Sequence, residues 1–272
     1  MPQRMDGLGS AKRSDPMATA VFGWSTEQLR FEFEVPSKPE AFAGQSPLTK
    51  LTKGKTPISD DSVEKLCPNS ILQQVVHQRR QSQIIPASLL LEAYCRGIFP
   101  MAVEKGEIAW FSPDPRGIIP LDSFHIPHGL RRSLRKNRFD VRVNTAFEAV
   151  IRACGERAET WISPEIARSY LNLHELGFAH SVETWQENQL VGGLYGVSVY
   201  GAFFGESMFH RVTDASKVAL VALVERLRER EFRLLDTQYT TPHLRSFGAV
   251  EIPRAKYMRL LKQALALDCR FN

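Results

Sequence analysis

Long apolar runs are missing from this sequence. No stretch approaches the ~20 apolar residues that a membrane-spanning helix needs. The first residues also lack the apolar centre of a secretory signal, and Asp6 and Asp15 weaken an organelle-targeting reading. Cysteine is scarce, and Cys67, Cys95, Cys154 and Cys269 form no C-x-x-C pair. That spacing excludes the common zinc and dithiol motifs, so free thiols in a reducing compartment are expected, and a cytoplasmic location with them. No serine sits in a nucleophile elbow, and no two of His174, His180 and His243 have metal-ligand spacing on one helix. No metal site is therefore expected. Charge of one sign is not dominant either. A net charge of +5 and a pI near 9.1 permit a polyanionic partner without demanding one.

What is present is enough for a globular protein. The 272 residues are 43% hydrophobic, room for one large domain or two small ones with a substantial core. Residues 1–84 scatter Pro, Gly, Ser, Lys and Asp between short apolar patches and read as a variable, partly disordered extension. The patches Ala20–Trp24 and Phe31–Val35 read as strands or sticky tails, and Ile71–Gln83 reads as a helix. The rest divides into a small unit over residues 85–125 and a larger one over residues 126–272.

Along 85–272 the patterns alternate. Pro86–Gly97 has the apolar spacing of a helix, and two prolines around Asp114 impose a non-helical turn. Ile126–Arg142 is the most basic stretch. On a helix its Arg131 and Arg135 lie one turn apart, as do Arg132 and Lys136, while Leu130 and Leu134 anchor an adjoining face. Like charges so placed repel mildly, and a phosphate partner relieves them. A solvated face is an equally ordinary reading of the same run. Phe139–Val143 reads as a strand and Ala146–Cys154 as a helix. Pro164–Leu176 reads as a helix capped by Ser163 and ended by Gly177. His180–Gln186 and Gln189–Val199 read as a hairpin over Glu187–Asn188.

The stretch 195–211 is apolar, glycine-rich and holds one carboxylate, Glu206. The ordinary reading is a core strand whose acid pairs with Arg211 or faces water. Gly196, Gly201 and Gly205 also leave room for bulges or close approach. A helix capped by Asp214 or Ser216 follows, running to about Arg230 with the stripe Leu220, Leu223, Val224 and Leu227. The strand Phe232–Tyr239 then carries Asp236 and Gln238 on one face, with Leu235 and Thr237 on the other. Two polar groups beside a glycine-rich strand suggest the floor of a site. A short turn or helix at Thr241–Phe247 and a last helix at Pro253–Leu267 complete the chain.

A series of motifs occurs in order: Gly-Ile-Phe-Pro at 97–100, Trp-Phe-Ser-Pro-Asp-Pro-Arg at 110–116, Thr-Trp-Ile at 160–162 and His-Glu-Leu-Gly at 174–177. Val-Gly-Gly-Leu-Tyr-Gly-Val at 191–197, Phe-Gly-Glu-Ser-Met-Phe at 204–209, Ala-Ser-Lys at 215–217, Asp-Thr-Gln at 236–238 and Ser-Phe-Gly-Ala at 246–249 follow. Together they resemble the leucyl/phenylalanyl-tRNA–protein transferases. The resemblance implies an α+β fold: an acetyltransferase-like (GNAT-like) mixed sheet with flanking helices, plus a small N-terminal domain. It implies transfer of Leu or Phe, and less well Met, from aminoacyl-tRNA to proteins beginning with Arg or Lys, which feeds the N-degron pathway. No cofactor, membrane or DNA is implied.

By resemblance Asp236 and Gln238 fall on the family's catalytic Asp and Gln, and Glu206 on its active-site Glu. Trp161 matches a Trp near the aminoacyl-adenosine end. Arg131, Arg132, Arg135, Lys136 and Arg138 match a basic helix that holds the acceptor arm. The first residue of the family's usual Trp-Trp pair is Trp110, but Phe111 replaces the second. Met101 stands where many members have Trp, and Ile84–Ser88 replaces the usual Gly-Gly-Asp-Leu.

An aminoacyl ester is already activated, so no covalent nucleophile is needed. The Gln238 carbonyl is expected to accept from the attacking amine, Asp236 to orient that amide, and Glu206 to hold the cationic N-terminal residue or to fix Gln238. Leu194, Phe203, Met208, Leu220, Leu223, Leu227 and Leu235 are candidates for the amino-acid pocket, and plain core is the ordinary reading for most of them. Two rivals remain. A small-molecule N-acyltransferase using acyl-CoA would share the fold, although Gln189–Leu194 misses the usual pyrophosphate pattern. A non-catalytic tRNA-binding paralogue would share the basic helix, although Glu206, Asp236 and Gln238 are all present.

Overall fold

The computed structural model describes residues 84–103 and 107–272. The expected extension over 1–84, with its helix at Ile71–Gln83, lies outside the described residues save for Ile84. Helix α1 (Ala87–Cys95) leads into a two-stranded antiparallel ribbon, β1 (Phe99–Ala102) and β2 (Ile108–Phe111). The main sheet has seven strands in the order β4-β5-β6-β7-β8-β3-β9. These are β3 (Arg116–Ile119), β4 (Asp140–Val143), β5 (Ala179–Gln186), β6 (Gln189–Val199), β7 (Ala202–His210), β8 (Leu234–Gln238) and β9 (Val250–Ile252). Every pairing is antiparallel except β7 with β8. This is a mixed α/β architecture. Strand β3, from the 85–125 segment, is paired inside the large sheet.

Helices α2 (His128–Arg135), α3 (Phe147–Gly155), α4 (Pro164–Glu175), α5 (Ala215–Glu229), α6 (Pro242–Arg245) and α7 (Arg254–Ala264) surround the sheet. Ser163 caps α4 by accepting from the Ile166 N–H at 3.2 Å. The β5–β6 hairpin turns on Glu187 and Asn188, both at positive φ, the backbone that a two-residue hairpin demands. Asp214 does stand at the N-cap of α5, but it is left-handed (φ 71°) and its side chain makes no cap bond. Its carboxylate is taken instead by Ser133 and Lys217.

Two hydrophobic clusters sandwich the sheet. One joins α1, α3 and α4 through Leu90, Val150, Ile151, Ile166 and Leu173 to Tyr195, Val197 and Phe204. The other packs α5, through Leu220, Leu223, Val224 and Leu227, onto Leu194, Phe203 and Leu235. Each such side chain contributes ~1.5–3 kcal/mol on burial. Beyond α7 the chain returns, and Phe271 stacks on His180 at 4.3 Å and Phe203 at 5.2 Å.

Candidate active site

The stretch 195–211 is the end of β6, a turn at Tyr200–Gly201, and β7. On β7, Gly205 stands opposite Gly196, and Ser207 opposite Tyr195. Glu206 is therefore an extra residue, a β-bulge that re-aims its side chain out of the pleat. Gly196 is required there, because a Cβ would lie 2.3 Å from the Phe204 carbonyl oxygen and 2.4 Å from the Phe203 ring. Glu206 does not pair with Arg211, which instead bonds Glu156 at 3.2 Å. Its Oε1 accepts from the Tyr94 hydroxyl at 2.7 Å and from Gln238 Nε2 at 3.1 Å. Tyr170 completes the group, joined to Tyr94 by a short hydroxyl–hydroxyl bond.

The parallel β7–β8 ladder ends at Phe204 opposite Asp236. Glu206 and Gln238 come level two residues further on, where the strands part. Gln238 is in the left-handed region (φ 57°), a conformation that costs a non-glycine residue about 1–3 kcal/mol. Asp236 holds that turn, its Oδ1 accepting from the Gln238 backbone N–H at 2.8 Å. This corrects the expectation that Asp236 orients the side-chain amide. Asp236 fixes the backbone of Gln238, and Glu206 fixes the amide.

Asp236 is fully buried and clamped. Arg116 reaches it with Nε at 3.0 and 3.2 Å and with Nη2 at 2.7 Å, and the Tyr257 hydroxyl donates at 2.6 Å. Arg116 Nη1 donates to the Gly97 carbonyl at 2.9 Å, and its guanidinium lies 4.6 Å from the Tyr257 ring centroid. Burial works against the Arg116 charge, but the adjoining Asp236 carboxylate outweighs it and raises the Arg116 pKa. Gly117 admits this arrangement, since a Cβ would sit 2.6 Å from the Tyr239 backbone.

Glu206 is the contrasting acid. The residue keeps some exposed surface, yet its carboxylate is withdrawn from water. That desolvation, aided by the negative charge of Asp236 and opposed by Tyr94, Arg116 and Tyr170, pushes its pKa up to about 7. Burial and then Glu206 itself raise Tyr94, Tyr170 and Tyr195 well above the usual phenol range, so all three remain neutral donors. The Tyr195 hydroxyl is buried with no hydrogen-bond partner among the described residues.

Among the other expected site residues, Trp110 is buried in β2 and Trp161 is half-buried before α4, both against the cluster that holds Tyr94 and Tyr170. The Trp161 carbonyl accepts from Ala102 at 3.1 Å. Leu194, Phe203, Met208, Leu220, Leu223, Leu227 and Leu235 converge in the α5 cluster. Six of them are at most 3% exposed, and Met208 alone is half-buried. On α2, Leu130 is buried while Arg131, Arg132 and Arg135 are exposed. The helix stops earlier than the basic run, so Lys136 is its C-cap and Arg138 lies beyond it, after Asn137 at φ 45°. Tyr94, Arg116, Tyr170, Tyr195 and Tyr257 were not expected in the site. A buried strand aspartate does demand a cation, which was the available signal for Arg116.

The chain matches known proteins over this whole region. The sequence model described as leucyl/phenylalanyl-tRNA protein transferase matches residues 118–262, and that of its N-terminal domain matches residues 85–114. A leucyl/phenylalanyl-tRNA–protein transferase of Paramagnetospirillum magneticum is 59% identical over 194 residues, covering 69% of this chain and 93% of that protein. Those of Akkermansia muciniphila and Gloeobacter violaceus are 59% and 58% identical, covering 65% and 68% of this chain and 94% and 96% of their own lengths. Among solved structures, L-PGS from Bacillus licheniformis aligns with a TM-score of 0.33 at 13% identity, over 57% of this chain and 53% of that one, too distant to bear on the fold. The chain belongs to the leucyl/phenylalanyl-tRNA–protein transferase family of aminoacyltransferases.

Proposed function

We propose that the chain moves Leu or Phe, and less well Met, from aminoacyl-tRNA to the N-terminal α-amine of proteins beginning with Arg or Lys, in the cytoplasm, as the marking step of N-degron proteolysis. We read the sheet, with its parallel β7 and β8 parting at Asp236, as acetyltransferase-like. The observation that carries the reading is the Gln238 amide, held between a strained backbone and the Glu206 carboxylate. With Nε2 committed to Glu206, the Gln238 carbonyl is left to accept from the incoming amine. The acceptor amine, with a pKa near ~8, is about one-tenth neutral at pH 7. Its nitrogen bonds to the ester carbonyl carbon, the bond from that carbon to the ribose oxygen breaks, and the oxygen leaves as a hydroxyl with the proton the amine gives up. A glutamine is a feeble base, so its part is aiming. Glu206, with a pKa of about 7, is the nearby group able to hold a proton in passing. Positioning of this kind supplies on the order of 7–11 kcal/mol in favourable cases.

Six of the seven apolar residues around α5 are closed core on the side of the sheet away from Tyr94 and Tyr170, so among them half-buried Met208 is the wall proposed for the leucine or phenylalanine side chain. A methylene more or less in such a pocket is worth only ~1–3 kcal/mol, which is why methionine is tolerated. The test is incubation with tRNA carrying labelled leucine and a peptide starting with Arg. Labelled peptide is the expected result. RNA binding without transfer, or acetyl-CoA turnover, overturns the proposal.

A further inference from the structure

The two edges of strand β7 are treated differently. Along one it pairs with β6 from Ala202, opposite Val199, to His210, opposite Gly192. Along the other it pairs with β8 only at Ala202, Phe203 and Phe204. Beyond Phe204 that second edge has no strand beside it among the described residues. The register tells which backbone groups are left there. The Arg211 N–H donates to the Val191 carbonyl at 2.7 Å, so residue 211 faces β6. Backbone groups alternate sides along a strand, so Phe209 and Ser207 also face β6, while His210 and Met208 face the open edge. A side-chain contact agrees, since the Met208 carbonyl accepts from Arg157 Nη2. A charged side chain laid on an edge guards it against indiscriminate pairing. The N–H groups of Met208 and His210 and the His210 carbonyl have no backbone partner among the described residues. The edge is within reach of solvent, because residues 205–208 are half-buried and His210 is exposed.

The open edge starts beside the candidate site. Glu206 lies on it, and its carboxylate holds the Gln238 amide, where the acceptor amine has to arrive. The acceptor is a polypeptide with a free amino end. In extended form it carries the N–H and carbonyl groups that an unpaired strand edge lacks. With its amine at Gln238, the acceptor chain runs along the edge from Glu206 toward His210. That direction is parallel to β7, as β8 is before it departs.

We propose that the acceptor polypeptide docks as an added strand on the open edge of β7, continuing the parallel ladder that β8 leaves, with its backbone bonded to Met208 and His210. The inference rests on the transferase reading above. The stretch from Glu206 to His210 spans ~13 Å, room for about the first four acceptor residues. Recognition of this kind reads backbone, so it admits varied sequences beyond the first residue.

The test measures transfer of labelled leucine from tRNA to peptides that begin with Arg. A tetrapeptide should exceed an Arg dipeptide amide by about fivefold or more in kcat/KM. Along the tetrapeptide, N-methylation should cost about fivefold at every second residue, where an N–H faces β7, and nothing between. His210→Pro removes an N–H that faces the open edge and leaves the β6 ladder intact. It should keep the wild-type denaturation midpoint and lose about fivefold on the tetrapeptide alone. His210→Ala keeps that N–H and should match wild type. Methylation that costs the same at every position, or nothing at any, would overturn strand addition while leaving the transferase reading intact. A His210→Pro loss in RNA affinity, with peptide dependence unchanged, would give the edge to the tRNA and overturn strand addition too. No transfer by wild type to any of the peptides would overturn both readings.

Discussion

Two acids on neighbouring strands have been treated in opposite ways. Asp236 is fully buried, yet it has a guanidinium on both oxygens, a phenol and a backbone N–H. Glu206 is less enclosed, yet its bonds come from neutral groups, a tyrosine hydroxyl and an amide. A buried charge with a bonded cation is a fixed structural part. A desolvated carboxylate without one sits near the point where it changes charge. Asp236 holds the shape of the Gln238 turn, and the proposed part of Glu206 is to respond during the reaction.

The amide between the two acids gives the largest expected effect. Gln238→Ala should slow single-turnover transfer about 10²-fold or more, with tRNA affinity unchanged, and wild-type turnover would remove Gln238 from the reaction. Breaking the clamp acts on stability instead. Arg116→Met leaves Asp236 buried without its cation and should destabilise the fold by about 3–5 kcal/mol, read by chemical denaturation. A loss near zero would mean that Asp236 is not held as described. Tyr94→Phe should have the smallest effect, about 1 kcal/mol of stability. The Tyr94 hydrogen bond lowers the Glu206 pKa, so its loss should move the Glu206 titration to higher pH, visible by carbon NMR of the carboxyl groups. An unmoved or lowered titration would contradict the assignment of Tyr94.

The strand and helix order was largely legible in the sequence, because period and punctuation agree: Ser163 and Pro164 start α4, and Glu187–Asn188 turns the hairpin. The ends shift where a local feature intervenes, as at Lys136, where α2 closes on its C-cap before the basic run is finished. The parity of β8 put Asp236 and Gln238 together, but not the manner of their contact. That depends on the positive φ of Gln238, which no residue type announces. Gly196 and Gly205 did mark room for a bulge, but that Glu206 is its extra residue is a property of the β6–β7 register. Arg116, Tyr94, Tyr170 and Tyr257 come from β3, α1, α4 and α7, and only the folded sheet brings them to β7 and β8.

The contrast between the acids makes one further demand. Because folding raises the Glu206 pKa, its protonated form is favoured in the native state. Its contribution to stability is full below the ordinary glutamate pKa and is lost as pH rises through about 7. The most direct measurement is the pH profile of single-turnover transfer in wild type and in Glu206→Gln. Both should show the acceptor amine titrating near pH ~8. Wild type alone should show a second ionisation near 7, with Glu206→Gln slower throughout. Identical profiles, or a Glu206→Gln protein at the wild-type rate, would contradict the role given to Glu206.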